Sequence, residues 1–582
     1  MTIKRLLSGN EAIARGAYEH GVRAATGYPG TPSTEILENI AKYGEIYAEW
    51  APNEKVAVEV AIGTSFAGAR TIVTMKHVGV NVAADPLFTL AYTGVNGGFI
   101  LVSADDPGMH SSQDEQDNRN YAKFMKMVLF EPSDSQEAKD FVGYALAISE
   151  EYDTPVMLRV TTRISHSKGI VEVGERQEYS LKNYEKNVPK NVVMPANARK
   201  LRVKLEDRLI KLAELASVHP ANRVEEASSG CSIGVITSGI SYQYAKEALG
   251  DKVAYLKLGF SFPLPSKLIT SFVEKYDTVY VIEEGEPFLE EQIKALGLKV
   301  IGKEVLPNIG EMSPAVISQA LLGQEKLQSN TTPDIPLRPP VMCPACPHRG
   351  VYYILSKLGA IVTGDIGCYT LGVMPPLNGM DTCICMGASI GNALGFSKML
   401  PDRKVFATIG DSTFLHSGVT GLMDVVYNKG IMTTVILDNS TTGMTGHQHN
   451  PATGFTLKME PTHKVDLEAI VRACGVKHVS VVDAYDLAAV ELALRDAMNC
   501  EEPAVVITRK PCILLEKRRK PVPYGVSTDA CKKCKMCMKI GCPAINNTDK
   551  GIIIDSSLCN ACGVCAQVCK FDAIKQEVGQ NG

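Results

Sequence analysis

The sequence lacks a marked excess of either charge, a long apolar run and any short-period repeat. Its 60 lysines and arginines against 64 aspartates and glutamates leave a net charge of −4 and a pI near 6.3. That balance gives no footprint for a polyanion, so nucleic acid is not an expected partner. The opening MTIKRLLSGNEAIARGAYEHG holds no sustained apolar stretch, and no later segment reaches membrane-spanning length. A cytoplasmic protein without a membrane segment is the expectation. No repeat means the chain is not read as an array of small units. What remains is ordinary globular composition, 45% hydrophobic and 21% charged. At 582 residues it calls for several domains rather than one core.

Cysteine departs from this ordinariness. The chain has 17, of which eight lie in the last 52 residues. They read Cys531-x2-Cys534-x2-Cys537-x4-Cys542-Pro543, then Cys559-x2-Cys562-x2-Cys565-x3-Cys569. Each tight triplet can place three thiolates around one face of an iron–sulfur cubane, with the fourth ligand coming from the other run. This matches the bacterial two-cluster ferredoxin pattern. It assigns Cys531, Cys534, Cys537 and Cys569 to one 4Fe–4S cluster, and Cys559, Cys562, Cys565 and Cys542 to the other. Two departures are visible: one extra residue precedes Cys542, and Lys570 stands where a proline is usual. A zinc ribbon also uses paired CxxC, but it needs separated pairs of ligands, and two triplets with two lone cysteines fit cubanes better. Two such clusters form a relay, and the electron source must lie upstream.

Residues 1–190 alternate apolar strand-like runs (TIVTMKH, GGFILVSADD, PVMLRVTT) with helix-like stretches, which reads as α/β with a largely parallel sheet. Residues 191–229 read as a polar linker with a basic helix. A further α/β unit spans 230–325, and a proline-dense second linker leads to a third α/β block at 341–520. The cluster module occupies 525–582. In the third block, VFATIG and TTVILD are short buried-strand runs. Leu415, Val419, Leu422 and Val426 recur between them at helical spacing. This strand–helix–strand unit puts Asp411 and Asn439 at the carboxyl ends of two parallel strands, where open sheets bind ligands. Gly410 lets backbone approach a pyrophosphate, and the following helix points its N-terminus there. Asp411, Asn439 and a backbone carbonyl near Thr441 can give three oxygens to Mg2+. The plainer reading is that Gly410 turns the strand and Asp411 caps the helix.

Here the chain resembles thiamine diphosphate enzymes, whose diphosphate motif runs from Gly-Asp to an Asn one βαβ unit later. Ser412 stands where many members carry glycine. Thiamine beside a two-cluster module narrows the resemblance to the 2-oxoacid:ferredoxin oxidoreductases. The segments GYPGTPSTEI, EVAIGTSFAGAR, CPACPHRG and LDNSTTGMTGHQ look like those of the large (alpha) subunit of the indolepyruvate type. The resemblance covers essentially the whole chain. It implies a multidomain α/β fold: two doubly wound parallel-sheet domains that bind the pyrimidine and the diphosphate and face each other, a transketolase C-terminal-like α/β domain between them in sequence, and a C-terminal ferredoxin-like α+β domain. The cofactors implied are thiamine diphosphate, Mg2+ and 4Fe–4S clusters, and Gly410, Asp411, Ser412, Asn439, Thr441 and Gly446 would contact the first two.

The activity implied is oxidative decarboxylation of an arylpyruvate with coenzyme A to an arylacetyl thioester and CO2, with electrons leaving singly through clusters to ferredoxin. The same reaction on pyruvate or a branched-chain 2-oxoacid is the nearest alternative. A non-redox thiamine decarboxylase or an electron-transfer subunit is a more distant one. Thiamine chemistry needs a carboxyl on the aminopyrimidine, which the resemblance places in NEKVAVEVAIGTSFAGAR. Glu59 has Val56, Ile62 and Gly63 at helical spacing, an apolar setting that favours its neutral acid form, and it is the expected catalytic residue. A solvated Glu59 paired with Lys55 is the plainer alternative, and Glu54 is the next candidate. Thr31 and the amides around Gly30 are candidates to hold the substrate carboxylate, although a tight turn alone explains them equally. The loop SADDPGMHSSQDEQDNR reads as an active-site loop, with His110 left outside the catalytic set.

Related enzymes also carry a proximal cluster held by a CxxC pair, a cysteine some way on and one after the last strand. Cys343, Cys346, Cys368 and Cys512 match that order as ligands of a possible third 4Fe–4S cluster, with Cys383 and Cys385 as rivals. Unligated cysteines in a proline-stiffened turn are the plainer alternative. A second, small beta subunit carrying a gamma-type domain of roughly 200 residues is a further implication, giving a hetero-oligomer.

Overall fold

The computed structural model describes residues 3–228, 230–323, 336, 338–515, 521–549 and 551–576. It divides into two compact units, Met1–Asp334 and Ile335–Gly582. Most of the proline-dense second linker, from 329 on, lies outside the described residues.

The first unit is built on a seven-stranded sheet. The runs TIVTMK (Thr71–Lys76), FILVSAD (Phe99–Asp105) and VMLRVT (Val156–Thr161) are buried along almost their whole length, as parallel strands covered on both faces must be. The spatial order is Phe260–Phe262, Val128–Phe130, Val156–Thr161, Phe99–Asp105, Thr71–Lys76, Ala24–Gly27, Tyr47–Trp50. All neighbours are parallel except the first pair. That edge strand comes from far along the chain, and Phe260 stacks on Phe130 with ring centroids 4.8 Å apart.

A four-stranded sheet follows, in the order Thr278–Ile282, Ile233–Ser238, Ala254–Leu258, Asn222–Glu225, with the last strand antiparallel. The span 191–229, expected as a linker, therefore contributes a sheet edge. It also holds the 22-residue helix Pro195–Ala216, seated by Leu201, Leu205, Leu212 and Ala216 on one buried stripe. A buried ion pair links the two sheets, Arg119 reaching Glu283 at 2.7 Å, and within the first sheet Arg159 reaches Asp105 at 2.7 Å and Glu131 at 3.0 Å. Charges this desolvated require such partners.

The second unit carries an all-parallel six-stranded sheet, ordered Thr382–Cys383, Ile361–Gly364, Val405–Gly410, Thr433–Asp438, Ala504–Arg509, His478–Asp483. Its tail has two small antiparallel pairs, Tyr524–Val526 with Ile574–Gln576 and Ile545–Thr548 with Gly551–Ile554. The class is thus α/β with doubly wound parallel sheets and an α+β tail. Among the described residues no helix is long and apolar enough to cross a membrane.

Candidate active site and cluster ligands

In the second unit, Val405–Gly410 and Thr433–Asp438 run side by side, with Gly410 level with Leu437. Asp411 and Asn439 therefore leave the sheet at the same edge. A Cβ on Gly410 would come 2.6 Å from the Tyr369 ring, so only glycine fits there. The chain is helical from 411 to 427, with a wider π turn at Phe414–Gly418. Asp411 is buried, and its Oδ2 has no hydrogen-bond partner among the described residues. Burial, and after it the charge of Asp438, pushes its carboxyl up to about 8. The inward atom of the Asn439 amide lies 2.8 Å from the Thr441 carbonyl oxygen and 3.1 Å from Asp411 Oδ1. With its nitrogen inward, Asn439 hydrogen-bonds both. With its oxygen inward, three oxygens converge beside an orphaned carboxylate oxygen, an arrangement that a hard cation such as Mg2+ would stabilise. Ser412 accepts from Thr442 Oγ1 at 2.9 Å. Gly446, at φ +124°, turns the loop that returns to Gln448.

Beside this edge stand four cysteines. A Cβ on Gly443 would lie 3.5 Å from both the Asn439 amide nitrogen and Cys368 Sγ. The Cys512 amide donates to the Asn439 carbonyl at 2.8 Å. Burial pushes the Cys346 thiol up to about 12, with Cys368 and Cys343 adding to it. It pushes Cys368 up to about 11, with Cys512 and Cys343 close by. Cys343, Cys346, Cys368 and Cys512 thus share one locality. The Cys383 thiol instead answers to burial, Asp365 and Cys385.

The tail cysteines group in the same manner. Burial and then the charges of Cys534, Cys569 and Cys531 raise Cys537. Burial and then Cys562, Cys542 and Cys559 push Cys565 up to about 12. A pocket is lined by Cys542, Cys559, Cys562 and Cys565, with Cys346 and Arg349 on its wall. A thiol raised by burial, such as Cys346 or Cys565, ionises near neutral pH when a bound metal stabilises its thiolate. Among the described residues no three His, Cys, Asp or Glu side chains converge on a single ion. A cubane binds its four sulfurs at four separate irons and needs a wider spread.

The first unit corrects two expectations. Glu59 is not in an apolar setting: it is exposed and pairs with Lys55 across one helical turn. Its neighbours at helical spacing flank it without covering it. Glu54 is the buried carboxyl, 6% exposed, on the first turn of Glu54–Phe66 behind the Asn53 cap. It packs so closely on Gly79 that a Cβ there would sit 2.8 Å from Glu54 Oε1. Second, the Gly30 amide is not free for a carboxylate, because it donates to Thr34 Oγ1 at 3.0 Å. Thr31 stands at the carboxyl end of Ala24–Gly27, and its carbonyl accepts from Ser111 Oγ at 3.4 Å. The loop that begins at Asp106 folds over this edge: Asp106 accepts from the Ser111 amide and Ser112 Oγ, and Lys76 Nζ donates to the Ser111 carbonyl at 2.6 Å. Lys76, whose ammonium burial pulls down, went unnoticed in the sequence, as did His348 beside Asn439, pulled to about 4 by burial. His110 is held by Glu311 at 3.0 Å.

A family described as "Pyruvate flavodoxin/ferredoxin oxidoreductase, thiamine diP-bdg" matches residues 15–205. "Thiamine pyrophosphate enzyme, C-terminal TPP binding domain" matches 365–508, and "4Fe-4S binding domain" matches 552–575. The chain is 44% identical to "Indolepyruvate oxidoreductase subunit IorA" of Archaeoglobus fulgidus, over 98% of this chain and 97% of that one. Proteins of the same description in Methanothermobacter marburgensis and Pyrococcus horikoshii are 42% and 40% identical, again over 98% and 97%. The chain belongs to the indolepyruvate oxidoreductase IorA family. It is a subunit of a 2-oxoacid:ferredoxin oxidoreductase with thiamine diphosphate and iron–sulfur clusters as cofactors.

Proposed function

We propose that the chain is the large subunit of an enzyme that oxidatively decarboxylates arylpyruvates with coenzyme A, yielding an arylacetyl thioester and CO2 and passing electrons to ferredoxin. The observation that carries the reading is the Cys512–Asn439 hydrogen bond, which sets a four-cysteine group against the edge that bears Asp411. A decarboxylase without redox chemistry has no use for that neighbour.

Thiamine diphosphate, when bound, supplies the nucleophilic carbon and the electron sink that loss of CO2 requires. Asp411, Asn439 and the Thr441 carbonyl hold Mg2+ and through it the diphosphate, while Gly410, Ser412 and Gly446 shape the cradle. Deprotonating the buried Asp411 is costly without a cation, so metal binding and its ionisation go together. Glu54, rather than Glu59, holds the proton for the aminopyrimidine, with its carboxyl shielded from water against Gly79. Thr31 and the loop from Asp106 to Ser112 position the oxoacid. Cys343, Cys346, Cys368 and Cys512 hold a proximal 4Fe–4S cluster. The two tail clusters, on Cys531, Cys534, Cys537 and Cys569 and on Cys559, Cys562, Cys565 and Cys542, complete the exit.

A small beta subunit completes the enzyme, so the test uses the two chains co-expressed and purified without oxygen. Methyl viologen reduction is followed with indolepyruvate, phenylpyruvate, pyruvate and a branched-chain 2-oxoacid, with and without coenzyme A. Coenzyme A-dependent reduction at the highest kcat/KM with the aryl substrates is expected. A preference for pyruvate or the branched-chain acid overturns the substrate, and CO2 release without viologen reduction overturns the reaction.

A further inference from the structure

Arg349 is an unusual cation. It sits on the helix His348–Leu355, is 4% exposed, and its Nε has no hydrogen-bond partner among the described residues. Its two terminal nitrogens reach opposite ways. Nη2 donates to the carbonyls of Met342 and Cys343, the latter at 3.1 Å. Nη1 donates to the carbonyls of Ile540 and Gly541, at 3.2 and 2.5 Å. Cys343 belongs to the proximal cysteine group, and Gly541 immediately precedes Cys542 of the inner tail group. Among the described residues all four of the guanidinium's hydrogen bonds go to main-chain carbonyls beside cysteines, and none to a carboxylate. Arg349 also lines the pocket that Cys542, Cys559, Cys562 and Cys565 share with Cys346.

We propose that Arg349 is a positioning residue shared by two clusters: it clamps the two cysteine loops together and raises the reduction potential of both the proximal and the inner tail cluster. The inference rests on the cluster assignment given above. Each electron that moves between the two leaves one cubane oxidised and adds one negative charge to the other, with no proton transferred. A cation buried between them favours the reduced state of each, because low dielectric leaves its charge unscreened. Arginine suits the task, since its guanidinium stays charged in proteins and its planar fork can hold two carbonyl pairs at once. The outer tail cluster, on Cys531, Cys534, Cys537 and Cys569, has none of its ligands on the pocket that Arg349 lines and serves as an internal control.

The test is an EPR-monitored redox titration of the anaerobic complex, comparing wild type with Arg349→Gln and Arg349→Lys. In Arg349→Gln the one-electron equilibria of the two inner clusters shift about tenfold toward the oxidised state, near 59 mV for one electron, while the outer cluster stays put. Arg349→Lys keeps most of the wild-type value. Unchanged potentials in Arg349→Gln with full iron content overturn the role of Arg349 and leave the cluster assignment standing. A wild-type chain with only the iron of two clusters overturns the assignment and this inference together. Should Arg349→Gln lose iron, pulsed EPR on reduced wild type carrying 15N-arginine decides. Nitrogen hyperfine coupling on both inner clusters supports the shared position, and its absence overturns it.

Discussion

The main-chain amide of Cys512 donates to the carbonyl of Asn439 across 2.8 Å. Both residues follow parallel strands, Ala504–Arg509 and Thr433–Asp438, whose register sets Asp438 level with Arg509. Parallel pairing thus delivers an oxygen donor and a sulfur donor to one edge of one sheet. Because the link is main chain, either side chain can be changed without cutting it.

Asp411→Ala uses that separation. Removing the carboxylate takes away the proposed ligand, whose Oδ2 is buried without a partner among the described residues, and with it the proposed anchor of metal and diphosphate. The variant should purify with less than about a tenth of the wild-type thiamine diphosphate, a loss of at least ~1.4 kcal/mol in binding, and with unchanged iron. Stoichiometric cofactor in the variant would remove Asp411 from the site.

Glu54 and Glu59 make a paired test. Glu54→Gln should retain thiamine diphosphate and lose about 10²-fold or more in kcat, because an amide cannot exchange the proton that the acid holds. Glu59→Gln alters only an exposed ion pair and should leave kcat and the unfolding temperature nearly unchanged. The reverse pattern returns the role to Glu59.

That pair also shows what was legible in the sequence. Helical spacing told which residues share a face with Glu59, but not what covers that face. Gly79, which presses on Glu54, arrives from a separate segment after strand Thr71–Lys76. The Asp411–Asn439 relation was readable because a βαβ unit fixes where both strand ends fall. The grouping of the tail cysteines was readable because their short spacing along the chain sets which of them sit together. Arg349 was not, since its carbonyl partners at 540 and 541 lie 191 and 192 residues further on. Nor was the pairing of Ile3–Ser8 with Lys168–Val173, or the sheet edge inside the expected linker, because strand partners this remote leave no periodic signal.

Glu284 predicts a pH dependence of stability. Burial, only partly opposed by the hydrogen bond from the Met312 amide and the charge of Arg159, lifts its carboxyl from the ordinary 4.5 to about 7. The folded chain therefore keeps a proton that the unfolded chain releases as pH rises past 4.5. Stability from this group is full below that value, falls as pH climbs to about 7, and stays lost above it, by ~3 kcal/mol in all. Glu284→Gln does not titrate and can still accept from the Met312 amide. Its unfolding temperature should gain on wild type between pH 5 and 7 and hold that gain at pH 8. A difference that does not vary with pH would remove the buried acid as its cause.

The iron count decides how many cysteine groups are ligands. Three cubanes require about twelve irons per chain and the two tail clusters alone about eight. Cys343→Ser should bring the count from about twelve to about eight. It should also stop coenzyme A-dependent viologen reduction while thiamine diphosphate stays bound, because Asp411 is untouched. Cys383 and Cys385 separate ligation from mere crowding of cysteines in this unit. The first is held up by burial and then Asp365, with Cys385 last, and the second by burial and then Asp365. Neither answers to Cys343, Cys346, Cys368 or Cys512. Cys383→Ser and Cys385→Ser should each keep about twelve irons. A wild-type count near eight that Cys343→Ser leaves unchanged would make the upstream cysteines unligated thiols, and loss of four irons in Cys385→Ser instead would move the ligand place to that residue.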